Sequence, residues 1–196
     1  MDRRIPRFTH AHLALAATLL LAAAMPANAA ILHYNCTLSG PAESPPNLSP
    51  GTGGAEVTID NVANTMRVQC TFSGLLGTTS ACHIHTPTAV AGTGTAGVAT
   101  MTPAFTGFPL GVLSGSMDHT FDLTQTATYN GPFVTANGGT AAGAEAALLA
   151  GIAAGKAYFN IHTQSVPGGE IRGFLQPFDP TPTAKSTWAR VKSLYR

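Results

Sequence analysis

The sequence predicts an all-β protein built of antiparallel strands, and three features predict it. Short stretches alternate apolar and polar residues with a period of two, the pattern of half-buried strands. Turns rich in Gly, Pro and Thr cut these stretches at regular spacing, and the 196 residues include 21 Gly and 14 Pro. Only one stretch, 141–154, is built mainly of the strong helix formers Ala, Leu and Glu. Seven or eight short strands at this spacing read as an antiparallel sandwich or flattened barrel.

Taken in order, Tyr34, Cys36 and Leu38 alternate with Asn35 and Thr37, giving a strand over 33–39. Residues 41–54, rich in Pro and Gly, form a loop. Ala55, Val57 and Ile59 alternate with Glu56 and Thr58 as a second strand, and a turn follows over 60–64. Met66, Val68, Cys70 and Phe72 alternate with Arg67, Gln69 and Thr71, the clearest strand in the chain. Residues 81–85 form another, ended by Pro87. Small residues dominate 88–111, with one short strand around 98–101. Met117, His119, Phe121 and Leu123 share one side of a strand over 114–124. Residues 129–140 read as a loop, and 141–154 as the one short helix. The last two strands, 158–162 and 170–175, are joined by a Pro167-Gly168-Gly169 turn.

The first residues predict export. Arg3, Arg4 and Arg7 form a positive head, 13–24 is a short apolar run, and Ala27-Asn28-Ala29 offers a small-residue cleavage site. A run of about twelve residues falls short of the ~20 that span a bilayer, so 1–29 reads as a signal peptide and the mature chain starts at Ala30. No later run is long enough to span. The expected product is a secreted or periplasmic monomer. It comprises one domain over 30–177 and a basic tail over 178–196, in which Pro180 and Pro182 open a linker and 185–196 is either an amphipathic helix or disordered.

Charge narrows the partners. Charged residues are 10% of the chain. Residues 30–177 carry three basic against seven acidic side chains, whereas the tail carries four basic against one. A body this poor in basic residues is not a nucleic-acid binder. The expected partners are a metal ion or an extracellular protein. The chain shows no serine-nucleophile motif, phosphate loop or dinucleotide fingerprint, and no Cys-x-x-Cys zinc ribbon. Three cysteines, Cys36, Cys70 and Cys82, lie beyond the leader. Cys36 and Cys70 both sit on the apolar faces of their strands. Either they form a disulfide, which leaves Cys82 free and which an exported chain permits, or they are two core thiols.

Four blocks resemble a known family. "LSGPAESPP" at 38–46, "CTFSGL" at 70–75, "CHIHT" at 82–86 and "YFNIHTQSVPGGEIRGFL" at 158–175 are together similar to the CHRD domain, named from chordin and common in exported bacterial proteins. They occur in the family's order. The resemblance implies an immunoglobulin-like or related β-sandwich and no established activity. Cys82 stands where the family usually has a small residue. A more distant resemblance is to copper/zinc superoxide dismutase, in which a His-x-His strand and a later single His bind copper. By position these are His83, His85 and His162. No equivalent of the histidine bridging copper and zinc is present, and no zinc loop.

The residue chemistry fits that placement. Side chains two apart on a strand share a face, so His83 and His85 can converge on one point, as Asn160 and His162 share theirs. If the two strands pack as the resemblance implies, three imidazoles meet, and imidazole suits copper and zinc. The alternative is that these histidines are hydrogen-bonded structural groups in a non-catalytic interaction module. Dismutase-like redox activity is a third reading. His119 is a possible fourth ligand, but parity sets it beside Met117 and Phe121 as a buried or edge residue. His33 lies near the new N-terminus. Glu43 and Arg172 are expected to pair and pin the 41–54 loop to the sheet.

Overall fold

The computed structural model describes residues 30–180. The leader-like segment 1–29 and the basic run 181–196 lie outside the described residues. Eight strands form: β1 (Ile31–Ser39), β2 (Thr52–Asp60), β3 (Thr65–Ser73), β4 (Thr79–His85), β5 (Gly115–Asp122), β6 (Tyr158–Thr163), β7 (Ile171–Phe174) and β8 (Gln176–Pro177). Two helices, α1 (Gly131–Ala136) and α2 (Ala141–Ala153), lie between β5 and β6. No described helix is long and apolar enough to cross a membrane.

The strands make one antiparallel sheet in the order β4-β6-β7-β1-β2-β3-β5, with β8 beside the start of β1. It curls into a sandwich-like half-barrel. Phe105, in the long β4–β5 connection, shows how far the sheet curls. Its ring lies 5.2 Å from Phe121 on one edge strand and 5.9 Å from Phe159, next to the opposite edge. The core fills the hollow. Leu38, Val57, Ile59, Met66, Val68, Ile84, Ile161 and Ile171 point inward from alternate strand positions and are buried. The period-two reading of the sequence therefore identifies the inward face of each of these strands.

The helix expected over 141–154 forms almost as drawn. The Thr140 hydroxyl caps it by accepting from the Gly143 amide at 3.1 Å. Leu148 and Ile152, four apart on one face, are buried on the core. The segment 129–140, expected to be a loop, contains the second helix α1. This is a six-residue stretch with Pro near its start, Phe133 and Val134 buried, and Gly138 and Gly139 at positive φ beyond its end. It is held by the core rather than by helix propensity, which is why composition hides it.

The expected Cys36–Cys70 disulfide does not form. All three cysteines are free. Ala55 pairs with Cys36 on one side and with Cys70 on the other, so a whole strand lies between the two thiols. Two strand spacings put their α-carbons about 9.5 Å apart, beyond the ~4.4–6.8 Å a disulfide spans. Parity placed both on one face, but the order of strands separates them.

Glu170, fully buried, ties three segments together. Its carboxylate accepts from the Ser49 hydroxyl at 2.6 Å, the Leu76 amide at 2.6 Å and the Gly77 amide at 3.3 Å, and from the Thr163 hydroxyl. Burial alone would raise its pKa, but these four donors favour the charged form and hold it below the usual range.

Candidate metal centre

Registry places the histidines. On β4, Cys82 and Ile84 point into the core, which turns Ala81, His83 and His85 to the outer face. On β6, Phe159 and Ile161 are the inward pair, so Tyr158, Asn160 and His162 share that outer face. The antiparallel pairing sets Asn160 opposite His83, Tyr158 opposite His85 and His162 opposite Ala81. His162 and His85 thus flank the His83–Asn160 row from opposite strands, and the three rings lean together. Ring centroids are 4.9 Å apart for His83–His162, 5.3 Å for His83–His85 and 5.7 Å for His85–His162. One ring nitrogen of each lies within 4.8 Å of the others. The sequence brings together all three residues expected of the site.

Backbone carbonyls decide which nitrogens are free. His85 Nδ1 lies 2.9 Å from the Ala96 carbonyl oxygen, and His162 Nδ1 lies 2.9 Å from that of Pro167. A carbonyl only accepts, so both Nδ1 atoms carry the proton and both Nε2 atoms present lone pairs. His83 Nδ1 is 3.3 Å from His85 Nε2, and the Pro103 backbone is a further hydrogen-bond partner of the His83 ring. His162 Nε2 is buried and has no hydrogen-bond partner. Burial keeps the rings neutral. It pushes His83 down to about 3, helped by the neighbouring His162 and His85, pushes His85 down to about 4, and lowers His162. Three uncharged imidazoles with converging nitrogens can hold a transition-metal ion.

A second row of side chains backs the rings. Tyr158 stacks on His85 at 4.7 Å with the planes 5° apart. The Arg172 guanidinium lies 4.7 Å over the Tyr158 ring. Arg172 also pairs with Glu43, Nε to Oε2, at 3.7 Å, both side chains being buried. This is the ion pair expected from the sequence, although its shortest bonds go elsewhere. Arg172 Nε donates to the Ala42 carbonyl at 2.6 Å and Nη1 to the Gly94 carbonyl at 3.0 Å, so the side chain pins two loops at once. Burial pushes the Glu43 carboxyl up to about 7 while Arg172 pulls it back.

A model of the CHRD domain family matches residues 34–175. The chain belongs to the CHRD domain family. The match runs from β1 to the end of β7 and contains every residue of the histidine cluster, so the cluster is part of the CHRD domain itself. No curated protein matches the chain, and no solved structure does. The distant resemblance to copper/zinc superoxide dismutase therefore stands on the order of the sequence motifs, the histidines among them.

The other described histidines, His33 and His119, stay outside the cluster. His119 is exposed on the edge strand β5 against Phe121, with ring centroids 4.6 Å apart, as its parity suggested. His33 hydrogen-bonds Thr58 at 3.1 Å on β1. Cys82, beside the histidines in sequence, is buried in the core on the other face. Sequence reasoning missed the Ala96 and Pro167 carbonyls and the Tyr158 stack. Carbonyls carry no residue signature, but Tyr158 sits two before Asn160 on the same strand face and was open to the same parity argument.

Proposed function

We propose that this protein is an exported CHRD domain that holds one copper ion through His83, His85 and His162. The observation that carries the reading is the buried His162 Nε2. Its partner bond to Pro167 makes it a lone pair, it faces two other imidazoles, and no donor meets it. Buried acceptors of this kind are costly unless something satisfies them, and a cation coordinated by the three rings does so. His85 and His162 each have Nδ1 bound to a carbonyl, the usual support of a metal-bound histidine. Atoms sharing one ion at about 2.0–2.1 Å lie at most ~4.2 Å apart, so rings spread over 4.8 Å must draw in by about half an ångström. Among divalent ions such nitrogen sites favour copper over zinc. Export is supported by the Arg-rich, apolar leader pattern and the Ala27-Asn28-Ala29 site.

The test is metal content and Cu(II) titration of protein purified without a histidine tag. One copper per chain, lost on replacing any one of the three histidines, is the expected result. If neither copper nor zinc binds at micromolar concentration, the copper reading falls. The histidines are then structural, and the domain is an interaction module.

A further inference from the structure

Neutral imidazole has two tautomers of similar energy, and the bonds its ring makes choose between them. For His85 the Ala96 carbonyl oxygen, 2.9 Å from Nδ1, calls for the proton there, while His83 Nδ1 faces Nε2 at 3.3 Å. Ala96 belongs to an exposed loop with Gly92 and Gly94 at φ +72° and +83°. A chain with such glycines has little order of its own. Two backbone bonds fix its ends, Gly92 N to Gly155 O at 2.9 Å and Thr86 N to Gly97 O at 3.2 Å. Between them, two side chains besides His85 hold the loop. Arg172 Nη1 donates to the Gly94 carbonyl at 3.0 Å, and the Tyr158 hydroxyl accepts from Ala96 N at 3.3 Å and reaches Ala96 O at 3.4 Å.

Tyr158 also holds the ring itself by stacking on it, and Arg172 lies over the Tyr158 ring. Strand β6 lies between β4 and β7, so Tyr158 stands between His85 and Arg172 and touches both. We propose that Arg172, acting with Tyr158, is a positioning residue for the metal centre: it holds the Ala96 carbonyl against His85 Nδ1, so that His85 turns Nε2 toward His83 and His162. The metal role of this arrangement rests on the copper reading above, while the tautomer itself does not. The task needs arginine. One guanidinium donates to Ala42 O and Gly94 O in different directions while its face lies on Tyr158. A lysine ammonium supplies the charge beside Glu43 without the planar fork.

The experiment compares wild type, Arg172→Lys and Tyr158→Phe in the metal-free state by long-range ¹H–¹⁵N correlation of the histidine rings, then by Cu(II) titration. Wild type is expected to show His85 as the pure Nδ1–H tautomer. Both variants are expected to show an Nε2–H population at His85, with native circular dichroism, and Cu(II) affinity lower by about 10- to 100-fold, the usual cost of losing an outer-shell partner. Tyr158→Phe keeps the stack and loses only the hydroxyl, so it decides the matter if Arg172→Lys fails to fold. A variant that folds and keeps the pure Nδ1–H tautomer overturns the proposal. If wild type binds no copper, the metal reading fails alone, and the tautomer spectra still judge Arg172 and Tyr158.

Discussion

His162 and Pro167 are joined by a 2.9 Å hydrogen bond from ring Nδ1 to the backbone carbonyl. His162 lies near the end of β6, and Pro167 opens the turn that follows. This bond fixes the proton on Nδ1 and leaves Nε2 as a buried lone pair among the other imidazoles. Removing any ring breaks the convergence. His83→Ala, His85→Ala and His162→Ala should each weaken Cu(II) binding by more than the ~10–100-fold typical of an outer-shell loss. His119→Ala, on the edge strand, should leave it unchanged. Calorimetric titration of the four single variants measures this, and equal effects at His119 and His162 would argue for adventitious surface binding.

The cysteines should behave as three inert thiols. Burial pushes Cys36 and Cys70 up to about 12 and raises Cys82 well above the usual thiol value. At about pH 8 a thiol of that pKa is thiolate in roughly one molecule in 10⁴. Iodoacetamide should therefore leave the folded protein untouched and label all three positions in denaturant without prior reduction. A need for reductant before full labelling would show a disulfide and contradict the strand order drawn here.

What the sequence carried and what it hid divide along physical lines. Side-chain alternation records which face a strand buries, and it placed His83, His85, Asn160 and His162 on the outer faces of their strands. Alternation says nothing about which strand lies next to which. Cys36 and Cys70 share a face, yet Ala55 stands between them. Helix α1 was hidden because six residues flanked by glycines have no periodicity to read. The Glu43–Arg172 pair was legible because buried charges in a charge-poor chain need partners. The carbonyls that Arg172 chiefly bonds were not, since every residue has one.

Gly151 tests how tightly α2 is seated. An added methyl would lie 2.0 Å from Thr86 Oγ1 and 3.1 Å from Thr86 Cβ. Thr86 follows His85 directly, so the helix packs on the end of the histidine-bearing strand β4. In an open helix Gly→Ala stabilises by about 1 kcal/mol. Here overpacking should outweigh that gain, and Gly151→Ala should destabilise by about 1–3 kcal/mol. Urea unfolding gives the sign directly, and a stabilised variant would mean that the helix can shift away at little cost.

Glu43 should give the domain a measurable pH dependence of stability. Its pKa rises from 4.5 to about 7 in the fold because burial penalises the charged form, with Arg172 opposing. Between those two values the folded chain holds a proton that the unfolded chain has released. Stability from this group is fully present below 4.5 and is lost as pH rises through about 7, at no more than about 1.4 kcal/mol per pH unit. Glu43→Gln cannot ionise and lacks this slope, while every other group titrates in both proteins and cancels in the difference. The stability of Glu43→Gln relative to wild type should thus climb between about pH 5 and about pH 7.5, whatever its offset from the altered contact with Arg172. Parallel urea melts at about pH 5, 6 and 7.5 measure it. A difference that stays flat or falls with pH would mean that Glu43 is already ionised in the fold at pH 5 and that its pairing with Arg172 outweighs its burial.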